Sequence, residues 1–445
     1  MPSLPIEAQS LQDALAPAFT PPTFRRFLTL AGSAILTTGR RTVANLLRTA
    51  APLASGHATT FQRVLSSASW SALRLACGLC RLVVRLIPPD QAIPLVGDDT
   101  VEAHPGVKVY GKARHRDPAR SSHGYTAWRY GHKWVVLAVL VRFPWATRSW
   151  ALPVLADLYR SEEDDRTRRR PHRTPPRIMA TLLRVVTRWF PDRKFVFVGD
   201  GGYGTHELAR FCYRHRGRLT LVSKLHPEAN LFEPPGPYPG NGRPAVKGEA
   251  LPKPCRPAAA AELRPATVSW YGGGTRAVKL ASGSGHWCKS GHGLVPIGWV
   301  FVKDQDGAHR DEYFFSTDSA MDPVAMVDAY TGRWNLETTF QEARCHLGLE
   351  TTRGWCRRTV LRAAPCLFGP YTVVALLYEA LPESKRSGGV RWPGKVGVTF
   401  SDALTSVRRW LWREWVFPQA GGATAVEELP QPLQDVLFYA LAPAA

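Results

Sequence analysis

Short apolar runs alternate with helical segments through residues 91–224, and this order constrains the fold more than any other feature of the chain. It gives three strands, a helix, a strand, a helix and a strand, which predicts a mixed β-sheet with helices packed on it. The predicted strands lie at 92–97, 133–142, 147–155, 195–199 and 219–224, and the predicted helices at 178–190 and 207–214.

The segments on either side of this core differ from it in composition and in the spacing of their apolar residues. Residues 1–90 read as a helical N-terminal region, and residues 383–445 as a helical tail. Residues 225–312 hold clusters of Pro and Gly between alternating apolar runs, which predicts a β-rich insertion. Residues 313–382 then complete the core with one or more helices.

The N-terminal region has the outline helix, short turn, helix, with arginines on both helices. That outline is typical of a helix-turn-helix, in which Arg41, Arg48 and Arg63 would contact DNA. A plain helical cap on the next domain is the alternative, and the sequence leaves it open.

The chain carries 57 Lys and Arg against 36 Asp and Glu, a formal net charge of +21. So high a charge favours a polyanionic partner, and nucleic acid is the first candidate, although an Arg-rich genome would give the same composition. No secretory signal is apparent, and the longest apolar run, 134–141, is too short to cross a bilayer. We therefore expect a cytoplasmic protein with no membrane partner. The pair Cys77 and Cys80 has no second pair at zinc spacing.

Acidic residues end two of the predicted strands. Asp98 and Asp99 follow the first run, and Asp200 follows the fourth. Neighbouring strands would bring these carboxylates together, and Glu337 on a later helix could complete a three-carboxylate site for a hard divalent cation. Asp98 and Asp99 point to opposite sheet faces, so only one of them can be a ligand, and the strand pattern alone does not choose.

Four functional side chains share one face of the predicted helix around Glu337. Placed at 100° per residue, Tyr330, Arg333, Glu337 and Arg344 lie within about 60° of one another. Glu342 lies about 140° away from Glu337 and is expected to face solvent. A carboxylate flanked by a phenol and two guanidiniums suits a site that holds a metal ion beside a phosphate backbone.

The spacing Tyr-x₂-Arg-x₃-Glu-x₆-Arg, after a strand ending in Asp-Thr and another ending in Asp, resembles the DDE transposases of bacterial insertion sequences. More narrowly, it resembles the group with the Tyr-Arg-Glu-Lys signature. The resemblance implies an RNase H-like fold and selects Asp99, the Asp before Thr, with Asp200 and Glu337 as ligands of two Mg²⁺ ions, for which Mn²⁺ could substitute. Arg344 departs from the Lys of that group. Tyr313 stands where an aromatic residue stacks on a flipped DNA base, or it belongs to an ordinary core strand.

The resemblance also implies a function. It predicts cut-and-paste transposition through a DNA hairpin, with double-stranded inverted-repeat ends and target DNA as partners. It further implies a homodimer on those ends, in a bacterial cytoplasm at the nucleoid. A metal-dependent RNase H-like nuclease without strand transfer is the first alternative. A domesticated, non-catalytic DNA-binding protein is the second, but such a protein would have no need of all three acids.

Overall fold

The protein is built around one mixed sheet of eleven strands. The computed structural model describes residues 5–117, 121–238, 240–390 and 392–443. The strands are β1 (Ile93–Ala103), β2 (Ala113–Arg116), β3 (Trp128–Val141), β4 (Trp150–Tyr159), β5 (Phe195–Gly199), β6 (Leu219–Lys224), β7 (Leu231–Phe232), β8 (Arg264–Ser269), β9 (Thr275–Lys289), β10 (Gly293–Asp304) and β11 (Glu312–Ser316).

The central five strands have the order β4-β3-β1-β5-β6. β3 is antiparallel to both β1 and β4, whereas β1, β5 and β6 run parallel to one another. This combination of a three-stranded antiparallel meander with two added parallel strands is the RNase H-like arrangement, so the predicted fold class is confirmed.

The β-rich segment after β6 extends the same sheet. β11 pairs antiparallel with β6, and β10 and β9 follow it outward. β7 and β8 pair with β9 at the far end. The strands of the insertion are therefore continuous with the core through β11, while the domain boundaries given above stay predictions.

Sixteen helices surround the sheet in the described ranges. The N-terminal ones are α1 (Gln9–Leu15), α2 (Pro21–Leu36), α3 (Val43–Thr49), α4 (Ala58–Ser66) and α5 (Ala72–Val84). The core and insertion contain α6 (Glu162–Thr167), α7 (Pro175–Trp189), α8 (His206–Arg214), α9 (Cys255–Ala260), α10 (Pro323–Gly332), α11 (Asn335–His346) and α12 (Arg357–Ala380). The C-terminal ones are α13 (Phe400–Leu411), α14 (Phe417–Gln419), α15 (Ala423–Glu427) and α16 (Gln431–Leu441).

Helices cover both faces of the central strands. α7 packs on β3 and β4 from one side, and α11 and α12 pack on β4. A Cβ added to Gly97 would lie 2.4 Å from Met179 Cε on α7, so this glycine lets the helix approach β1 closely. Side chains alternate along a strand, so Gly97 and Asp99 face α7 whereas Asp98 faces the opposite, α11 side.

α12 is long and apolar enough to cross a membrane by length and composition alone. More than half of that stretch is buried inside the protein. The Thr372 hydroxyl donates a 2.8 Å hydrogen bond to the Pro153 carbonyl of β4, which fixes the helix on the sheet. α12 is accordingly a core helix of this fold.

The N-terminal helices correct one predicted DNA contact. Arg41 is only 6% exposed, and its guanidinium donates to the carbonyls of Ala34, Gly39 and His346. It therefore joins the end of α2 to the end of α11 and is not available to DNA. Arg48 and Arg63 are exposed. The connection between α3 and α4 spans residues 50–57, longer than the three or four residues typical of a helix-turn-helix, and a DNA-binding role for this region stays a prediction.

Candidate active site

Asp98 and Asp200 occupy adjacent positions on neighbouring parallel strands. The pairing of β1 with β5 runs in parallel as far as Gly97 beside Gly199, so the next residue on each strand is an aspartate. Neighbouring strands are about 4.8 Å apart, and residues at the same level of a parallel pair face the same side. β1 itself continues to Ala103, so its acids lie in mid-strand where β5 ends. The sheet thus brings one of the two β1 acids beside Asp200 on the α11 side.

Arg333 links Asp98 to Glu337. Its Nη1 lies 2.6 Å from Asp98 Oδ2 and its Nη2 lies 2.9 Å from Glu337 Oε1. The arginine side chain is 8% exposed, compared with 36% for Glu337. One guanidinium therefore holds a strand carboxylate and a helix carboxylate together on the α11 side of the sheet, where β5 ends.

The electrostatics of this pair depend on its burial. Burial raises the pKa of Asp98 to about 8, against the lowering effect of Arg333. For Arg333, burial would lower the pKa, but the charge of Asp98 raises it above its usual value. The 2.6 Å contact between guanidinium and carboxylate favours an ionised pair.

Asp99 lies on the other face of β1. Lys133 on β3 places its Nζ 2.6 Å from Asp99 Oδ2, and the hydroxyl of Tyr203 donates to Oδ1 at 3.4 Å. Tyr203 is buried, and burial together with the acidic neighbours raises its pKa well above the usual value. The assignment of Asp99 as a ligand stays a prediction, but its contacts are separate from the Arg333 bridge.

The turn after β5 fixes Asp200. The backbone N–H of Gly202 donates to Asp200 Oδ1 at 2.9 Å, and the Asp200 carbonyl accepts from the hydroxyl of Ser223 at 2.7 Å. Its carbonyl also accepts from the N–H groups of Tyr203 and Gly204. Asp200 therefore forms the turn after β5, and the hydrogen bonds of that turn also fix the position of its carboxylate.

The predicted single helix around Glu337 is divided in two. α10 ends at Gly332 and α11 begins at Asn335, and the backbone N–H of Glu337 bonds to the carbonyl of Trp334, three residues before it. This 3₁₀-type junction tightens the chain at Arg333, which is the residue that reaches β1. Glu337 lies in the first turn of α11.

Tyr330 lies beneath this junction. Its ring stacks on Phe314 of β11 with centroids 4.2 Å apart, and it is 2% exposed. Lys224 and Arg333 each place a cation 5.7 Å from the ring centroid. Burial raises the pKa of Tyr330 above its usual value. Tyr330 therefore supports Arg333 from below, and its role as a DNA contact stays a prediction.

Arg344 lies two turns beyond Glu337 on α11. Its guanidinium contacts the hydroxyl of Thr100 on β1 and lies 3.2 Å from Glu350 Oε1. Glu350 also accepts from Arg129 at 2.8 Å. The Arg344 side chain is 34% exposed, so it sits at the surface beside the carboxylates with its charge shared with Glu350.

An aromatic cleft of about 630 Å³ opens beside Arg333. Its walls include Trp270 and Tyr271 from the insertion and Trp334 from the α10–α11 junction. Tyr271 makes edge-to-face contacts with both tryptophans, and Trp334 is 46% exposed. Sequence reasoning missed these residues, although Trp334 lies inside the Tyr330 to Glu337 motif and was the available signal.

Tyr313 lies outside the lining of this cleft. It packs on Phe301 with ring centroids 4.9 Å apart, while its neighbours on β11, Glu312 and Phe314, line the cleft. Strand alternation therefore turns Tyr313 to the opposite face. Its role as a base-stacking residue stays a prediction, and its surroundings fit the alternative reading of a core strand.

The carboxylates fit a divalent metal in their chemistry. Within the described residues, no three His, Cys, Asp or Glu side chains converge closely enough to hold an ion. Arg333 lies between Asp98 and Glu337 instead and supplies the positive charge that two adjacent carboxylates need. A group of ligands that are all carboxylate oxygens, at a place open to water where β5 ends, suits Mg²⁺, which takes few protein ligands and keeps several waters.

Comparisons with known proteins bear on this site. A family model described as DDE superfamily endonuclease matches residues 14–277, more than half of the chain. No curated protein matches the sequence. Among solved structures, a synaptic complex of piggyBac transposase with hairpin DNA is similar over 98% of this chain and 82% of its own, with 12% identity and a TM-score of 0.42. The fold assignment above rests on the strand order and not on that similarity.

Proposed function

The chain belongs to the DDE superfamily endonucleases, and we propose that it is the transposase of a bacterial insertion sequence, of the group with the Tyr-Arg-Glu-Lys signature. It would cut DNA at the ends of its own element and join those ends to a target. The observation that carries this proposal is the bridge from Asp98 through Arg333 to Glu337, beside Asp200. The helical motif from Tyr330 to Arg344, which the sequence predicts to bind a phosphate backbone and a metal, thus lies next to Asp98 and Asp200.

Three carboxylates would hold two divalent ions, either Mg²⁺ or Mn²⁺. They are those of Asp200, Glu337 and one of the pair Asp98 and Asp99. When bound, such ions supply Lewis-acid stabilisation of the attacking and leaving oxygens of a phosphodiester. The contacts of Asp98 favour it over Asp99 as the third ligand. Asp99 is the alternative third ligand, because a bound ion could replace its contacts with Lys133 and Tyr203.

The chain's own cations would bind the phosphates around the scissile bond. Arg344 is at the surface beside Thr100, and a guanidinium can bind two phosphate oxygens at once. Arg333, released from the carboxylates when a metal replaces it, would turn to the same phosphate. Positive groups held at that point stabilise the charge that develops during cleavage.

The aromatic cleft would take a base flipped out of the element end. Trp334 and Tyr271 offer ring surfaces, and the cleft opens directly beside Arg333. A hairpin intermediate needs the DNA strand to bend sharply, and capture of a flipped base stabilises such a bend. The cut-and-paste route through a hairpin is part of the proposal for this reason. Element ends and target DNA are the proposed partners, with two copies of the chain on a pair of ends.

The test uses the full-length protein with duplexes that carry the element's terminal repeats. We expect nicking, hairpin formation and strand transfer in Mg²⁺ or Mn²⁺ and none in excess chelator. Asp200→Asn and Glu337→Gln should abolish cleavage while DNA affinity changes less than threefold, because charge elsewhere supplies the affinity. Cleavage without any joined product would identify a nuclease, and DNA binding without cleavage by the wild type would identify a non-catalytic protein.

A further inference from the structure

The hairpin of β2 and β3 presents two arginines and two aromatic residues on one side. In the register of the pair, Arg114 lies opposite Tyr130 and Arg116 opposite Trp128. Directly opposed residues of an antiparallel pair point to the same face, so these four side chains form one surface. We call Arg114, Arg116, Trp128 and Tyr130 the hairpin face.

The hairpin face is exposed. Trp128 is 50% exposed and Tyr130 is 60% exposed, whereas the following residues of β3, from Trp134 to Val139, are buried. The guanidinium of Arg114 lies 4.3 Å from the centre of the Trp128 ring. Large aromatic rings left in water on a regular strand indicate a binding surface more than a stability requirement.

The hairpin face lies on the same side of the sheet as Asp98. Val136 pairs with Asp98, and Tyr130 stands six residues before Val136 on β3, so both point to the α11 side. At about 3.3 Å per residue the two sites are about 20 Å apart. That separation corresponds to about six base pairs of B-form DNA at 3.4 Å each.

Surface cations connect the two sites. The 350–357 segment carries Arg353, Trp355 and Arg357, all exposed, between α11 and the hairpin. The Trp355 carbonyl accepts from the N–H of Tyr110 at 3.0 Å, and Arg357 lies 6.0 Å from the Tyr110 ring. The His104 N–H bonds to the Tyr130 carbonyl, which ties the hairpin to the end of β1. DNA leaving the carboxylates in this direction would follow a basic and aromatic path.

We propose that the hairpin face binds an unpaired stretch of DNA about six nucleotides from the scissile phosphate, with bases stacked on Trp128 and Tyr130 and phosphates held by Arg114 and Arg116. This inference rests on the proposed function, since it takes DNA as the partner. It adds a second contact site, separate from the aromatic cleft beside Arg333, which identifies where the protein holds strands that are no longer paired.

The chemistry of the face favours unpaired bases over an intact duplex or a protein. A duplex hides the flat surfaces of its bases, so exposed rings gain little from it, whereas every unpaired base offers a ring to stack on. The two arginines supply phosphate contacts and cation–π support for a base sandwiched at the ring. A protein partner for this surface would need to bring acids to both arginines.

The experiment compares two DNA substrates by fluorescence anisotropy, using the full-length protein without divalent metal. One is a fully paired end duplex, and the other has a four-nucleotide unpaired stretch that includes 2-aminopurine six positions from the cleavage site. The variants are the double change Trp128→Ala with Tyr130→Ala and the double change to Phe at the same positions. Trp392→Ala is the matched control, because Trp392 is also exposed, at 55%, with Lys395 4.3 Å from its ring centre.

We expect the Ala pair to weaken binding of the unpaired substrate at least tenfold and binding of the paired duplex less than threefold, since only unpaired bases lose a ring to stack on. The Phe pair should restore binding and the quenching of 2-aminopurine, and Trp392→Ala should change neither affinity. Equal losses on both substrates, or none on either, would overturn the inference, as would a change in oligomeric state with unchanged binding. Failure of the wild type to bind either DNA would instead count against the proposed function.

Discussion

Replacing Arg333 with Gln should strengthen binding of Mn²⁺ and weaken the metal-free fold at the same time. The guanidinium sits 2.6 Å from Asp98 and 2.9 Å from Glu337, so an ion that takes both carboxylates must first displace it. The variant removes this competitor. It also leaves a largely buried carboxylate without its partner, and the two effects have opposite signs.

The magnitudes follow from the contacts. A hydrogen bond to a charged group contributes about 1.5–3 kcal/mol net. In the wild type an entering ion must break at least one of the two hydrogen bonds that Arg333 makes to Asp98 and Glu337. The variant lacks both bonds, so its affinity for Mn²⁺ should be about 10- to 100-fold higher than that of the wild type. Breaking a buried ion pair from one side costs about 3–5 kcal/mol. Asp98 can take up a proton, because burial raises its pKa to about 8, and this keeps the stability loss at or below the lower end of that range.

Free Mn²⁺ measured by electron paramagnetic resonance gives the affinity, and thermal unfolding in chelator gives the stability. Arg344→Gln is the matched control, since it removes the same charge from α11, the helix that also carries Glu337, but Arg344 contacts Glu350 and Thr100. Its Mn²⁺ affinity should change less than threefold. If Arg333→Gln bound Mn²⁺ no more tightly than Arg344→Gln does, the bridging guanidinium would not compete with the metal and the reasoning would be wrong.

Three further predictions concern the two β1 aspartates, the aromatic cleft and a pair of buried histidines. Of Asp98→Asn and Asp99→Asn, we expect the first to abolish cleavage and the second to retain at least a tenth of it, and the reverse result would restore Asp99 as the ligand. Trp334→Ala should reduce hairpin formation at least tenfold on gels while first-strand nicking falls less than threefold, and equal losses in both steps would exclude base capture. Burial lowers the pKa of His115 and of His132 to about 4, so both are neutral in the folded state. The free energy of unfolding is therefore highest above pH 6.5, and it falls by up to about 3 kcal/mol for each histidine as the pH drops towards 4. The substitution His132→Gln should flatten the dependence of the melting temperature on pH over that range.

The succession of the longer strands and helices along the core was predictable, because each strand has its own apolar run and each helix its own period, whereas the short β2 and α6 were not predicted. The choice between Asp98 and Asp99 was not predictable. Because side chains alternate along a strand, the sequence shows that Asp98 and Asp99 lie on opposite faces of β1. Which of the two faces meets α11 depends on the packing of α7 against Gly97, a contact between residues far apart in the chain. The same limit applies to Tyr313, whose face is set by the pairing of β11 with β6.

Arg41 shows a different limit of sequence reasoning. On a basic N-terminal helix an arginine reads as a DNA contact, yet this one bonds to the carbonyl of His346, 305 residues away. The carbonyls at a helix end need donors, and no local pattern reveals which distant side chain will supply them. Arg344 was predicted to lie beside the carboxylates, but its partner Glu350 comes from a loop whose path a helix wheel does not describe.

The arginine excess has one use that the contacts of the fold show, which is to hold backbone carbonyls. Arg218 donates from one nitrogen to the carbonyls of three residues at the end of α7, and Arg193 does the same for the turn before β1. Arg362 holds carbonyls in the last turn of α4 and just after it, and Arg408 holds those at the ends of α2 and α11. A guanidinium suits this work because its donors lie in a fixed plane and it remains charged when partly buried. These guanidiniums are bonded to backbone carbonyls, so the number of cations free to contact a phosphate is smaller than the 57 Lys and Arg side chains of the sequence. Under the proposed function, the dependence of DNA affinity on salt should accordingly report only those exposed arginines and lysines that contact phosphates.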